Sequence, residues 1–244
     1  MDKIAVISDI HGNIPALEAV LKDIEDKKIS RIFCLGDLAG KGPDSCEAVD
    51  IVRKKCEVVV KGNWEYFISE QEDNEFEEVL WHRRILGDKR LEYLRGLPLY
   101  HEFYMSGKLI RICHASPKDV FKRVHATATY DEKTELFEAP EESESDSDVV
   151  IYGDIHGAYS QCFDQKMIFN VGSVGNPLEL TQASYGIIEG KYKSFEMATF
   201  SMSIVRVPYD IELAVQYAID KKIPDLKFYI DELRTGVYRG KKNK

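Results

Sequence analysis

The chain is short of three things, and each shortage removes a class of function. It has no uninterrupted apolar stretch long enough to span a bilayer, so a membrane role is not expected. Its five cysteines are an odd set without CxxC pairs or regular spacing, which argues against a disulfide framework and against a clustered-thiolate metal centre. Cys34 and Cys113 lie inside apolar runs and are expected to act as small buried hydrophobes. Excess positive charge is lacking as well, with 33 Lys and Arg against 42 Asp and Glu. A formal net charge of −9 lacks the basic footprint that general nucleic-acid binding requires. The first residues lack the basic and long apolar regions of an export signal, so the expected location is the cytoplasm.

What is present is ordinary in bulk. The 244 residues are 44% hydrophobic and 31% charged, enough for an extensive core, and a single domain over residues 1–244 is the simpler expectation. The acidic, Ser-rich stretch 141–148 and the basic segment 239–244 are expected to be solvated.

The first third alternates strand-like and helical patterns, the signature of parallel strands in an α/β layer structure. Residues 4–8 read as a buried strand. Pro15 suits a first helical position, and Leu17, Val20, Leu21 and Ile24 recur at i, i+3, i+4 and i+7, giving one apolar helix face. Residues 31–35 read as a second strand, 43–54 as a second helix and the Val-rich 57–61 as a third strand. Residues 65–97 are expected to be helical and to lie beside the site. Residues 100–104 and 109–113 form an expected hairpin around Met105-Ser106-Gly107-Lys108. Residues 149–152 and 168–171 read as further strands, with 185–188 and 203–207 completing a second sheet, followed by helices over 210–219 and 226–233.

Strand after strand ends at a side chain that can hold a hard cation: Asp9-Ile10-His11, Gly36-Asp37, Gly62-Asn63, His114 and Gly153-Asp154-Ile155-His156. In α/β sheets the loops at the carboxyl ends of strands converge, so these residues are expected to meet. Gly-Asp and Gly-Asn alone are common turn dipeptides; their joint occurrence after successive strands is the informative signal. Carboxylate, imidazole and carboxamide donors suit Mn²⁺, Fe, Zn²⁺, Co²⁺ or Ni²⁺. Two such ions about 3.5 to 4 Å apart hold a bridging hydroxide and clamp the oxygens of an in-line displacement at phosphorus. Asp37 is the expected bridging carboxylate. His82, His101 and His125 are expected to be surface or core histidines, Trp81 a packing residue, and Lys118 and Arg123 solvated charge. For Glu65, a ligand-orienting role and a plain surface role are both open.

The order and context of these segments resemble the calcineurin-like metallophosphoesterase superfamily over nearly the whole chain. The family pattern of DxH, GD, GN, H and GHxH stands here as Asp9-Ile-His11, Gly36-Asp37, Gly62-Asn63, His114 and Gly153-Asp-Ile-His156. The runs Asp9-Ile-His-Gly-Asn-Ile-Pro-Ala-Leu-Glu18, His114-Ala-Ser-Pro117, Asn170-Val-Gly-Ser-Val-Gly175 and Val207-Pro-Tyr-Asp210 look like its small bacterial and archaeal branch. Gly62-Asn-Trp-Glu65 looks like members that cleave phosphodiesters and dinucleoside polyphosphates.

The resemblance implies a four-layer α/β/β/α sandwich of two mixed sheets flanked by helices. It implies one metal on Asp9, His11, Asp37 and His156 and a second among Asp37, Asn63, His114 and Asp154, with Asp37, Asn63 and His114 as the catalytic set. Mn²⁺ or Fe is expected ahead of Zn, Ni, Co or Mg. Asn13 and Trp64 are expected near the substrate, and Ser173 behind a ligand. The implied reaction is hydrolysis of phosphodiester or nucleotide polyphosphate bonds in a small phosphorylated or nucleotide substrate, by a protein that could form a homo-oligomer. A phosphomonoesterase acting on phosphoprotein or small metabolites, or a metal-bearing scaffold without catalysis, are the alternatives. The chain departs from the family pattern twice, with Trp64 where a histidine often follows the asparagine and with Asp154 where a histidine is usual.

Overall fold

The computed structural model describes residues 1–71 and 73–239. Its centre is β1 (Asp2–Ile7), whose alternating side chains feed two separate cores. Ala5 and Ile7 point to one face, where α1 (Ile14–Asp26) and α2 (Ser45–Lys55) cover them with Leu17, Val20, Ile24, Val49 and Val52. Ile4 and Val6 point to the other face, against Phe103, Ile110, Ile112, Val149, Ile151 and Phe169 of a second sheet. Each fully buried Ile or Leu in these layers contributes about 1.5 to 3 kcal/mol relative to exposure.

Helix α1 forms where the sequence places it. Asn13 caps it by accepting from Ala16 N at 3.2 Å, and Pro15 sits in the first turn. The first sheet continues through β2 (Arg31–Cys34), parallel to β1, and β3 (Val58–Val59), parallel to β2. The third strand is shorter than residues 57–61 because Lys61 N leaves the ladder to donate to Pro98 O at 2.7 Å. Helices α3 (Asn63–Ser69) and α4 (Glu77–Arg95) follow, the latter bent at Gly87 (φ 68°).

The hairpin of β4 (Tyr100–Met105) and β5 (Lys108–Cys113) closes on Ser106 and Gly107, both with positive φ as the sequence suggests. These strands join β6 (Val149–Tyr152), β7 (Tyr159–Phe163) and β8 (Lys166–Asn170) in the second sheet, ordered β4-β5-β6-β8-β7. Between β5 and β6 the chain is mostly irregular, with a short α5 (Tyr130–Thr134) running into a single 3₁₀ turn. Leu136, Phe137 and Val124 from this segment cover Val150, Tyr152 and Ile168 on the outer face of the second sheet.

Two expectations are corrected. Strands β9 (Ala183–Gly190) and β10 (Ser201–Val207) belong to the first sheet, ordered β10-β9-β1-β2-β3, with Ile188 opposite Ile4 in antiparallel register. Strand β9 is buried on both faces, so it carries no alternation to tell which sheet it joins. The acidic stretch 141–148 is not simply solvated. Arg111, fully buried on β5, pairs with Glu102 at 2.5 Å and donates to Phe137 O, Glu138 O, Ser143 Oγ and Ser145 O, pinning that stretch to the sheet.

The chain ends with α6 (Ile211–Lys221) and α7 (Leu226–Thr235), packed on each other and on Trp81, which is a packing residue as expected. Arg239 is held by Glu232 and Asp225, at 3.1 and 2.8 Å; the rest of the expected basic segment lies outside the described residues. The cysteines are all free, with Cys34 and Cys113 buried. No helix among the described residues is long and apolar enough to cross a membrane.

Candidate metal centre

The loops that leave β1 and β2 are zipped together beyond the strand ends. Asp9 N donates to Gly36 O, His11 N to Asp37 O and Gly12 N to Leu38 O, at 2.9 to 3.0 Å. The second sheet is tied to the same point: Val174 N donates to Ser8 O, Gly175 N to Asp9 O and Asp154 N to Asp9 Oδ2. Close approach explains the glycines that precede the ligand candidates. A Cβ on Gly62 would collide with Asp37 Oδ1, and one on Gly153 with Ser8 Oγ. Asp9, His11, Asp37, Asp154 and His156 all adopt left-handed φ, between 48° and 61°. Such conformations cost non-glycine residues about 1 kcal/mol or more each and gather at functional sites.

All seven sequence-predicted donors converge at this junction. His156 Nε2 lies 3.1 Å from Asp9 Oδ1 and 3.2 Å from His11 Nε2. Asp37 Oδ2 lies 3.6 Å from His11 Nε2 and 3.4 Å from His114 Nε2, within reach of both imidazoles. Asn63 Nδ2 is 2.8 Å from Asp154 Oδ1, which is 3.8 Å from His114 Nε2. Two sets have donor atoms mutually within 4.8 Å: Asp9, His11 and His156, and Asp9, Asp37 and His114. Asp154 is in neither set.

The imidazoles are oriented from behind. The Nδ1 atoms of His11, His114 and His156 face the carbonyls of Ala39, Leu35 and Asn176, at 3.2, 2.9 and 2.5 Å. Donation through Nδ1 leaves each Nε2 as a lone-pair donor towards the centre, the arrangement common for metal-bound histidine. Asp9 Oδ1 and His114 Nε2 are buried without a hydrogen-bond partner. Buried groups of this kind are ordinarily satisfied, so a hard cation fits the donors present.

The buried donors also act on one another's charge. Burial alone would raise Asp9, yet the neighbouring His156, His114 and His11 draw it below the ordinary carboxylate range. Burial raises Asp37, against the opposing pull of His114. Burial would lower His114, but Asp37, Asp9 and Asp154 together hold it well above the ordinary imidazole range. Burial and the nearby His156 and Lys41 push His11 well down.

Several sequence-predicted residues fall elsewhere or take other parts. Asn13 is fully buried, with Oδ1 capping α1 and Nδ2 donating to Gly175 O at 2.8 Å, so it does not line the cleft. Trp64 does line it; its backbone N donates to Asp37 Oδ1 at 2.9 Å while its ring lies against Gly40. Ser173 Oγ donates to Asp9 O at 2.8 Å, behind the donor set. His82 is a core residue bonded to Ser45 Oγ, whereas His125 lines the cleft. Lys118 pairs with Glu138 at an exposed position, as expected.

Of the two roles open for Glu65 the structure shows the orienting one, and Arg123, expected as solvated charge, is instead paired at the site. Glu65 is fully buried and accepts from the backbone N of Asp37, Leu38 and Gly62, at 2.6, 2.9 and 2.8 Å. It thereby fixes the Asp37 and Asn63 turns to each other. Its signal was available, a Glu three positions after Gly62, the residue that precedes α3. Arg123 forks the Asp154 carboxylate, Nε to Oδ2 and Nη2 to Oδ1, both at 2.8 Å. No sequence signal announces a pair 31 residues apart.

The donors open onto a cleft of about 850 Å³, walled by Trp64, Phe67, Phe121, Arg123, His125 and Tyr238. Residues 2–193 match the sequence model of the calcineurin-like phosphoesterase superfamily domain. An uncharacterized protein of Methanocaldococcus jannaschii is 31% identical over 243 residues, covering 91% of this chain and 94% of that protein. Among solved structures, a metallophosphoesterase from Sphaerobacter thermophilus superposes with a TM-score of 0.74 at 24% identity, covering 97% of this chain and 99% of its own. A hypothetical protein from Pyrococcus horikoshii superposes with a TM-score of 0.79 at 21% identity over the full length of both. At these identities the structural likeness speaks to the fold, and the four-layer arrangement is the shared one.

Proposed function

The chain belongs to the calcineurin-like phosphoesterase superfamily, and from that premise we propose that it is a two-metal hydrolase of phosphodiester or nucleotide polyphosphate bonds. The observation that carries this reading is the two adjoining donor sets, Asp9, His11 and His156 beside Asp9, Asp37 and His114, with Asp37 Oδ2 facing both His11 and His114 and with Asp9 Oδ1 and His114 Nε2 buried without a hydrogen-bond partner. Asp9, His11, Asp37 and His156 would hold one divalent cation; Asp37, Asn63 and His114 would hold the other. Mn²⁺ or Fe suits this mixed set of oxygen and imidazole donors. When bound, such ions supply Lewis acidity and an activated water for attack at phosphorus.

The chain's own groups set the remaining terms. Asp37, within reach of both imidazoles, would keep the two cation positions close together, and Glu65 holds the Asp37 turn in place. The half-buried Trp64 offers no transferable proton where a histidine would. Positioned acid catalysis is worth roughly 10²- to 10⁴-fold, so its absence falls hardest on substrates with poor leaving groups. Diesters and polyphosphate linkages with better leaving groups are therefore favoured over alkyl monoesters. The cleft volume is in the range of small-molecule sites, and Phe67 and Phe121 offer an apolar wall for a planar leaving group.

The test is metal analysis of the purified protein, followed by a Mn²⁺-supplemented screen of bis-aryl and mono-aryl phosphates, cyclic nucleotides and dinucleoside polyphosphates. Faster turnover of bis-aryl than mono-aryl phosphate supports the reading. A metal-replete protein that cleaves no phosphoryl compound sinks it.

A further inference from the structure

The Asp154 carboxylate is already fully engaged by protein donors. Its Oδ2 accepts from Arg123 Nε, and its Oδ1 accepts from both Arg123 Nη2 and Asn63 Nδ2, each at 2.8 Å. The Asp154 side chain is only 2% exposed, and the Arg123 side chain beside it is 48% exposed. A divalent cation placed on Asp154 would meet a fixed positive charge at contact distance. The absence of Asp154 from both donor sets agrees with this.

Arg123 is oriented the other way. A guanidinium carries five N–H donors, of which Asp154 takes two. The three others have no partner among the described residues, and they belong to the Nη1/Nη2 end. That end is a second planar fork, matched to a pair of phosphoryl oxygens. The side chain lines the cleft with Asp37, Asn63 and His156. Its backbone is held in place next door, where Val124 packs under the second sheet and its carbonyl accepts from Tyr152 OH at 2.6 Å.

We propose that Arg123 binds the phosphoryl oxygens of the substrate and that Asp154 is its anchor rather than a ligand of the second metal. This rests on the phosphoesterase reading above. Arg123 thereby supplies the fixed positive charge that the chain lacks at Trp64, holding the phosphoryl group without giving a proton to the leaving group.

The experiment compares wild type, Arg123→Ala, Arg123→Lys and Asp154→Asn after Mn²⁺ loading and equilibrium dialysis. It reads Mn²⁺ per chain by elemental analysis, orthophosphate affinity by calorimetry, and KM and kcat on a bis-aryl phosphate. Arg123→Ala is expected to keep the wild-type Mn²⁺ content and to weaken orthophosphate binding about 10- to 100-fold, the scale of one charge-assisted pair. Arg123→Lys restores charge without the fork and should fall between. Asp154→Asn should also keep its Mn²⁺ while weakening orthophosphate, because the guanidinium loses its anchor. Loss of one Mn²⁺ equivalent in Asp154→Asn, or wild-type orthophosphate affinity in Arg123→Ala, overturns the proposal. A wild type that binds no Mn²⁺ and hydrolyses nothing overturns the phosphoesterase reading with it, so the two failures are told apart. Unfolding midpoints of the variants show whether a loss is merely one of folding, and Arg123→Lys, which preserves the backbone and the charge, then decides.

Discussion

His82 makes the stability of this protein dependent on pH in a way that can be isolated. The ring is fully buried between Trp64 and Trp81, its Nδ1 bonded to Ser45 Oγ at 2.9 Å and its Nε2 without a partner. Burial pushes its pKa from 6.5 down to about 3, so the folded chain holds it neutral while the unfolded chain protonates it below 6.5. The folded pKa is the depressed one, and the unfolded state binds the extra proton between the two values. Stability is therefore intact above about 6.5 and falls as pH drops towards 3, at about 1.4 kcal/mol per unit. At pH 5, a unit and a half below the unfolded value, the loss is ~2 kcal/mol, or roughly 4 to 8 °C in unfolding midpoint for a chain of this size. Other groups titrate in the same window, so the assay is a difference. Urea unfolding of wild type and His82→Leu is followed from pH 4.5 to 7.5 in the presence of chelator. His82→Leu carries a pH-independent offset from the lost Ser45 bond. Relative to wild type it should gain about 1.4 kcal/mol for each unit below 6.5. A flat difference curve would refute the claim that burial keeps this ring uncharged.

Other expectations concern the donor set and its supports. Asp37→Asn should lower turnover more than about 100-fold with reduced Mn²⁺ content, since asparagine tolerates the backbone at φ 53° but carries no charge; retained activity with full metal would contradict the assignment. Burial, with the adjacent Asp37, pushes the Glu65 carboxyl up from 4.5 to about 7. This folded pKa is raised, so its contribution is full below 4.5 and is lost as pH rises through 7, opposite in sense to His82. In chelator, Glu65→Gln should remove that loss between pH 4.5 and 7.5, and an unchanged pH profile of the unfolding midpoint would argue against it. Arg111→Ala strips the buried cation from Glu102 and from the 138–148 backbone, at a cost of about 3 to 5 kcal/mol. Limited proteolysis should then cut within that segment, and wild-type resistance would show the pin to be unimportant.

The site was legible because each donor follows a strand, and strand ends in an α/β sheet share one edge. Asp9, Asp37, Asn63, His114 and His156 needed only that rule to be brought together. Strand faces were legible where alternation is visible, as in β1. Sheet membership was not legible for β9, because Tyr185, Gly186, Ile187 and Ile188 are buried on both sides and pattern alone gives no partner. Buried charge was the other blind spot. Arg111 and Arg123 look like solvated residues in sequence, and each is defined by partners that only the folded chain brings near; for Glu65 the sequence left a ligand-orienting and a surface role both open. The segment between β5 and β6 has little periodicity because carbonyls held by Arg111, rather than repeating structure, organise it.

The left-handed backbone at five donor positions limits how the centre can change over evolutionary time. Asparagine and glycine enter such conformations easily, whereas Val, Ile and Thr are excluded by their branched Cβ. A descendant that gave up its chemistry would therefore first acquire Asn or Gly at Asp9, Asp37 or Asp154, keeping the loops while discarding the charge.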